Sequence, residues 1–181
     1  MSRLKESYQD KIIPFFLQEG YKNRMAVPKV TKVIVNVGIG KNRLIQHYKE
    51  KVAENIQAIT GQKPAIRKAK KAIAGFKVKQ GDEVGLMVTL RGEKMYDFLD
   101  KLANITLPRL RDFRGFDPKG FDKVGNYSLG VRENIIFPET SHEAGEPHGL
   151  QINIAIDAKS NKEAQILLEK LGFPFKKETN G

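Results

Sequence analysis

Apolar positions along the chain change period from segment to segment, and the period assigns the elements. From about Arg3 to Leu17, the residues Leu4, Tyr8, Ile12 and Phe16 recur every fourth position, as on one helical face, with Pro14 set to kink that helix and Gly20 to stop it. Val30 to Val37 alternates instead. Val33, Val35 and Val37 share one face while Lys32, Ile34 and Asn36 share the other, which predicts a strand ended by Gly38 and Gly40. Asn42 is placed to cap a following helix whose stripe of Ile45, Tyr48, Val52, Ile56 and Ile59 runs to Gly61.

Two further segments alternate: Val84 to Arg91, with Val84, Leu86, Val88 and Leu90 inward, and Leu150 to Asp157, with Leu150, Ile152, Ile154 and Ile156 inward. Helices are expected near Glu93 to Ile105, burying Met95, Phe98, Leu99 and Leu102, and near Lys162 to Leu171, burying Ala164, Leu167, Leu168 and Leu171. Ser160 and Glu163 have capping-box spacing before the second of these. Strands that are apolar on one side only predict an α+β fold: a single domain in which helices pack on one face of an antiparallel sheet and a polar face is left for a partner. No internal repeat or low-complexity tract divides the 181 residues. Long loops are expected near 69–82, 108–123 and 138–149, with a short flexible C-terminal tail, and long loops in a compact domain are usually functional.

Charge narrows the partner. Against 21 Asp and Glu stand 32 Lys and Arg, a formal +11 with a pI near 9.7, which points to a polyanion. No apolar run approaches the ~20 residues of a membrane span, the opening Met1 to Asp10 is charged, and the absence of Cys excludes a disulfide framework. No membrane partner or secretory route is expected. Lys63 to Gly81 carries Lys63, Arg67, Lys68, Lys70, Lys71, Lys77 and Lys79 without one acid. Phosphate favours such a cluster through counterion release, and Phe76 within it could stack on a base. A solvated loop usually mixes its charges, as Tyr48 to Glu54 does here. Arg109, Arg111 and Arg114, interleaved with Phe113 and Phe116, fit either RNA or a loop pinned by two core aromatics.

Enzyme readings fail on spacing. Gly38-Ile39-Gly40-Lys41 lacks the third glycine of a dinucleotide loop and both the spacing and the Ser or Thr of a P-loop. In His142-Glu143-Ala144-Gly145-Glu146-Pro147-His148, Glu146 stands where a zinc-hydrolase helix needs its second His, and Gly145 and Pro147 oppose a helix. No acid–base constellation assembles, so no catalytic residue, cofactor or metal is expected.

The stretches Lys70-Lys71-Ala72-Ile73-Ala74-Gly75-Phe76, Thr89-Leu90-Arg91-Gly92, Leu107-Pro108-Arg109, Asp112-Phe113-Arg114-Gly115, Gly125-Asn126-Tyr127-Ser128 and Ile136-Phe137-Pro138-Glu139 together resemble the bacterial large-subunit ribosomal protein family called L-five, over about Arg3 to Lys176. Phe116 to Val124 and Thr140 to Gly149 follow the family pattern loosely. The resemblance implies a non-enzymatic cytoplasmic protein of the ribosome that binds 5S rRNA in the central protuberance. Its implied partners also include large-subunit rRNA and neighbouring ribosomal proteins, P-site transfer RNA and a small-subunit head protein. The family's 5S contacts fall on Asn36, Gln62, Phe76 and Thr89. Its transfer-RNA loop resembles Lys70 to Gln80, with Lys70, Lys71, Lys77, Lys79 and Gln80, and its intersubunit side resembles Arg109 to Arg114 with Glu139, Glu143 and Glu146. The residue pattern adds Lys32, Lys63, Arg67 and Arg91 to the expected 5S surface, as salt-sensitive neighbours of directional Asn and Thr groups. Hydrogen bonding of Asn36 and Thr89 within the protein remains the alternative at those positions, and a free-standing regulator of structured RNA remains the alternative function.

Overall fold

The computed structural model describes residues 2–40, 45–110, 115–140 and 147–176. Helix α1 (Arg3–Ser7) passes through a wide turn (Tyr8–Ile12) into α2 (Ile13–Gln18), so the expected single helix is two. Pro14 has no N–H to donate one turn back, and the widened turn accommodates the missing bond. The other elements are β1 (Lys29–Gly38), α3 (Gln46–Thr60), β2 (Ala65–Lys68), β3 (Glu83–Leu90), α4 (Gly92–Lys101), β4 (Tyr127–Val131), β5 (Leu150–Asp157) and α5 (Asn161–Lys170). They form the expected α+β fold, with a five-stranded antiparallel sheet in the order β2-β3-β1-β5-β4.

Several expectations need correction. Ile45 is the extended residue before α3, which starts at Gln46, so Ile45 is 54% exposed and off the apolar stripe. The Asn42 cap lies outside the described residues. Arg91 is not on β3; it is the extended residue that precedes α4. After Lys101 the expected helix continues only as a wide turn (Leu102–Thr106) and a 3-10 turn (Leu107–Arg109). Strands β2 and β4 were not anticipated. Ser160 does accept from the Glu163 N–H at 3.3 Å, but the Glu163 carboxylate receives the N–H of Lys159, at 3.1 Å, rather than closing a box on Ser160.

Two units divide the chain. One comprises Met1–Val33, Arg91–Leu129 and Asn153–Gly181. Its helices bury Leu4, Ile12 and Phe16 from the first segment, Met95, Phe98 and Leu99 from α4, and Ala164, Leu167 and Leu168 from α5. An aromatic cluster of Phe116, Phe121, Tyr127, Phe173 and Phe175 packs with ring centroids 4.8–5.8 Å apart. Asp122 receives the Val124 and Asn126 N–H groups and the Asn126 amide, which hold its carboxyl below the ordinary carboxylate range.

The other unit comprises Ile34–Leu90 and Gly130–Ile152. Here α3 buries Val52, Ile56 and Ile59 and lies against β3, whose inward residues are Leu86, Val88 and Leu90. Gly61, at φ +65°, closes α3 by donating its N–H to the Gln57 carbonyl at 2.8 Å. Lys49 on α3 pairs with Glu83 at the start of β3 at 2.7 Å. The expected surface loop that begins at Phe137 is anchored at its described ends: Phe137, Thr140 and His148 are buried, and the His148 N–H donates to Asn134 Oδ1 at 3.2 Å.

Candidate nucleic-acid interface

Strand period and register place the site. In β1, Val35 and Val37 are buried while Ile34 and Asn36 on the opposite face are half-buried. In β3, Leu86, Val88 and Leu90 point inward, which leaves Gly85, Met87 and Thr89 on the face shared with Asn36. Strand β2 pairs antiparallel with β3, Ala65 facing Met87 and Arg67 facing Gly85, so Arg67 joins the same face. A Cβ built on Gly85 would lie 3.9 Å from Asn36 Oδ1 and 4.0 Å from the Cβ of Arg67. The structure therefore brings Asn36 and Arg67 together across a bare strand position. Arg67 Nη2 reaches 3.6 Å from the Met87 sulfur, which lays its guanidinium along the face.

Thr89 ends this row. Its carbonyl accepts from Gln62 Nε2 at 3.4 Å, while the Gln62 N–H donates to Thr60 Oγ1 at 3.3 Å and Thr60 in turn donates to the Ile56 carbonyl at 2.6 Å. Gln62 is thus fixed beside Thr89 by the end of α3. Among the described residues, no protein hydrogen bond engages the side chains of Asn36 or Thr89, so each keeps directional capacity for another molecule. Lys63 is exposed next to Gln62. Lys32 is half-buried and Arg91 exposed, and both belong to the first unit.

The segment between β2 and β3 is an ordered hairpin. At its base the Ala69 N–H donates to the Asp82 carbonyl at 2.8 Å and the Gly81 N–H to the Ala69 carbonyl at 3.0 Å; nearer the tip Ile73 and Val78 exchange bonds of 2.9 and 3.2 Å. A 3-10 turn (Ala74–Phe76) makes the tip. Lys77 follows at φ +50°, the left-handed region that non-glycine residues seldom enter. Lys70, Lys71, Lys77, Lys79 and Gln80 are exposed along it, Phe76 is 75% exposed and Ile73 50%. Ile73 is an exposed apolar residue that the sequence reading did not single out. Its signal was an apolar residue with no periodic partner inside a basic run.

Elsewhere the expected residues are less gathered. Arg109 is exposed on the 3-10 turn after α4 and Glu139 is exposed near Phe137, in different units, while Arg111, Arg114, Glu143 and Glu146 lie outside the described residues. A groove of about 260 Å³ between α3 and β2 has Glu50 and Glu54 on its wall beside Lys49 and Lys63, a mixture that does not favour a polyanion. Among the described residues no group of three His, Asp or Glu could hold a metal ion, and no helix is long and apolar enough to cross a membrane.

Residues 23–79 match the family model described as "Ribosomal protein L5", and residues 83–175 match the model that describes the C-terminus of the same ribosomal family. The "Large ribosomal subunit protein uL5" of Carboxydothermus hydrogenoformans is 46% identical over 177 residues, covering 97% of this chain and 99% of the relative. Those of Natranaerobius thermophilus and Geobacter sulfurreducens are each 51% identical, over 177 and 180 residues, with 97% of this chain and 99% of the relative covered in both cases.

Proposed function

Given that the chain belongs to the ribosomal protein L5 family, and is thereby a structural, non-enzymatic constituent of the large ribosomal subunit in the bacterial cytoplasm, we propose that its open sheet face is a preformed binding surface for 5S rRNA. The observation that carries the proposal is that the side chains of Asn36 and Thr89 stand half-buried on this face with no protein hydrogen bond among the described residues, with Arg67 laid along the same surface. Half-burial fixes the side-chain positions, and a fixed donor–acceptor pair selects an RNA of one shape, while Arg67 and Lys63 supply salt-sensitive attraction to phosphate. Gln62, held against the Thr89 carbonyl, extends the same surface.

The hairpin has the opposite character. Its lysines sit on long flexible stems around a turn whose Phe76 and Ile73 are turned outward, which suits contact with a backbone of any sequence. We assign its tip to transfer RNA in the P site, and the side carrying Arg109, Arg111, Arg114, Glu139, Glu143 and Glu146 to the bridge with a small-subunit head protein in the assembled ribosome.

Size-exclusion chromatography of the purified chain with the total RNA of large subunits tests the 5S assignment. 5S rRNA should elute with the chain; a complex holding only the long rRNA, with all 5S rRNA free, would overturn it.

A further inference from the structure

The open face contains a strip without side chains. The Ile39 N–H donates to the Val84 carbonyl at 3.0 Å, so in this antiparallel pair Gly38 stands opposite Gly85, and Gly85 stands opposite Arg67. One row across three strands therefore reads Gly38, Gly85, Arg67, and the adjacent row reads Asn36, Met87, Ala65. Rows on one face are about 7 Å apart along a strand and neighbouring strands about 4.8 Å apart. Gly38 is exposed and Gly85 is buried, so the row leaves a shallow trough that opens over the backbone of Gly38, beside Asn36, and is closed at its other end by Arg67.

The two glycines differ in why they are there. A Cβ on Gly85 would come within 3.1 Å of the Val37 carbonyl oxygen, so the sheet itself disfavours a side chain at that position. A Cβ on Gly38 would meet nothing within 4 Å, and Gly38 does not have the positive φ that favours glycine. Glycine weakens a strand, and at the exposed end of β1, where neither sterics nor dihedral requires it, its bare backbone leaves room for close approach by another molecule. Positive charge at the closed end and in the adjoining Lys68 suits that molecule to be a polyanion.

We propose that a ribose–phosphate segment of the bound RNA lies in this trough in van der Waals contact with the backbone of Gly38, with a phosphate on Arg67 and Asn36 hydrogen-bonding an adjacent sugar or base edge. Gly38 is then a specificity-determining residue, since it admits the backbone to a depth that any side chain denies. This inference rests on the reading that the open face binds 5S rRNA.

The test titrates a 5S rRNA transcript with Gly38→Val, Gly38→Ala, Asn36→Ala and Arg67→Ala, each compared with the unaltered protein in affinity and thermal midpoint. Gly38→Val should bind about tenfold or more weakly, as overfilling of a close contact by three carbons does, and Gly38→Ala less so, both melting as the unaltered protein does. Binding unchanged in both Gly38 variants while Asn36→Ala and Arg67→Ala weaken it would overturn the trough and leave the face. Binding unchanged in all four would overturn the face as well. If Gly38→Val fails to fold, Gly38→Ala decides the question by the same criterion.

Discussion

Tyr127 is 3% exposed within the aromatic cluster, and its hydroxyl donates to the Asp117 carbonyl at 3.0 Å. Burial, then the neighbouring Asp117 charge, pushes the phenol from its ordinary 10.0 up to about 12. Tyr8, whose hydroxyl donates to the Pro28 carbonyl, is raised to about 12 chiefly by burial. Unfolding returns both to ordinary values, so the stability they contribute is complete below pH 10 and is lost as pH rises from 10 to about 12, where only the unfolded chain releases the protons. The urea midpoint should be flat up to pH 10 and then fall, with a smaller fall in Tyr127→Phe; an equal fall in that variant would contradict the assignment. Such burial was legible only in part, because Tyr8 lies on a readable helical face, whereas Tyr127 is buried by Phe116, Phe121 and Phe175, which are distant in sequence or carry no period.

Elements reveal themselves in sequence when their period lasts. Strands β1, β3 and β5, with 10, 8 and 8 residues, alternate long enough to be read, and their period places on the outward face the Asn36 and Thr89 that the family resemblance singles out. Strand β2 has four residues, all exposed, and β4 has Gly130 within five, so neither carries a measurable alternation. Arg91 was misassigned because alternation cannot register the turn at Gly92, which takes the chain directly from β3 into α4. The stop at Gly61 was legible and has a measurable consequence: Gly61→Ala forces a Cβ into the left-handed region and should cost roughly 1–2 kcal/mol in urea unfolding, whereas no loss would deny the cap. For the hairpin, Lys77→Gln with Lys79→Gln should leave 5S affinity nearly unchanged. On assembled ribosomes the pair should weaken retention of P-site transfer RNA and lower the salt slope of that retention by about 1–2 units. A large fall in 5S affinity with normal retention would assign these lysines to 5S rRNA instead.

Across the whole molecule, the +11 charge establishes attraction to nucleic acid without choosing among nucleic acids. In the proposed function, the choice falls to the few groups that the strands place together on the sheet face. These were legible as residues, through their parity, but not as a site, because the approach of Arg67 to Asn36 across Gly85 depends on a strand that the sequence does not announce. The tether of Gln62 to the Thr89 carbonyl depends likewise on how α3 ends. The intersubunit side stays a matter of resemblance, since four of its six residues fall outside the described segments.

Filter-binding titration of 5S rRNA at fixed salt, with transfer RNA as competitor, compares the protein with its Asn36→Ala/Thr89→Ala variant and so decides whether the sheet face selects 5S rRNA. The unaltered protein should prefer 5S rRNA. The variant, melting at the same temperature, should lose about 1–3 kcal/mol of 5S affinity per removed group while its weak binding of transfer RNA is unchanged. Equal 5S affinity in the two proteins, or equal affinity of the unaltered protein for both RNAs, would contradict the account.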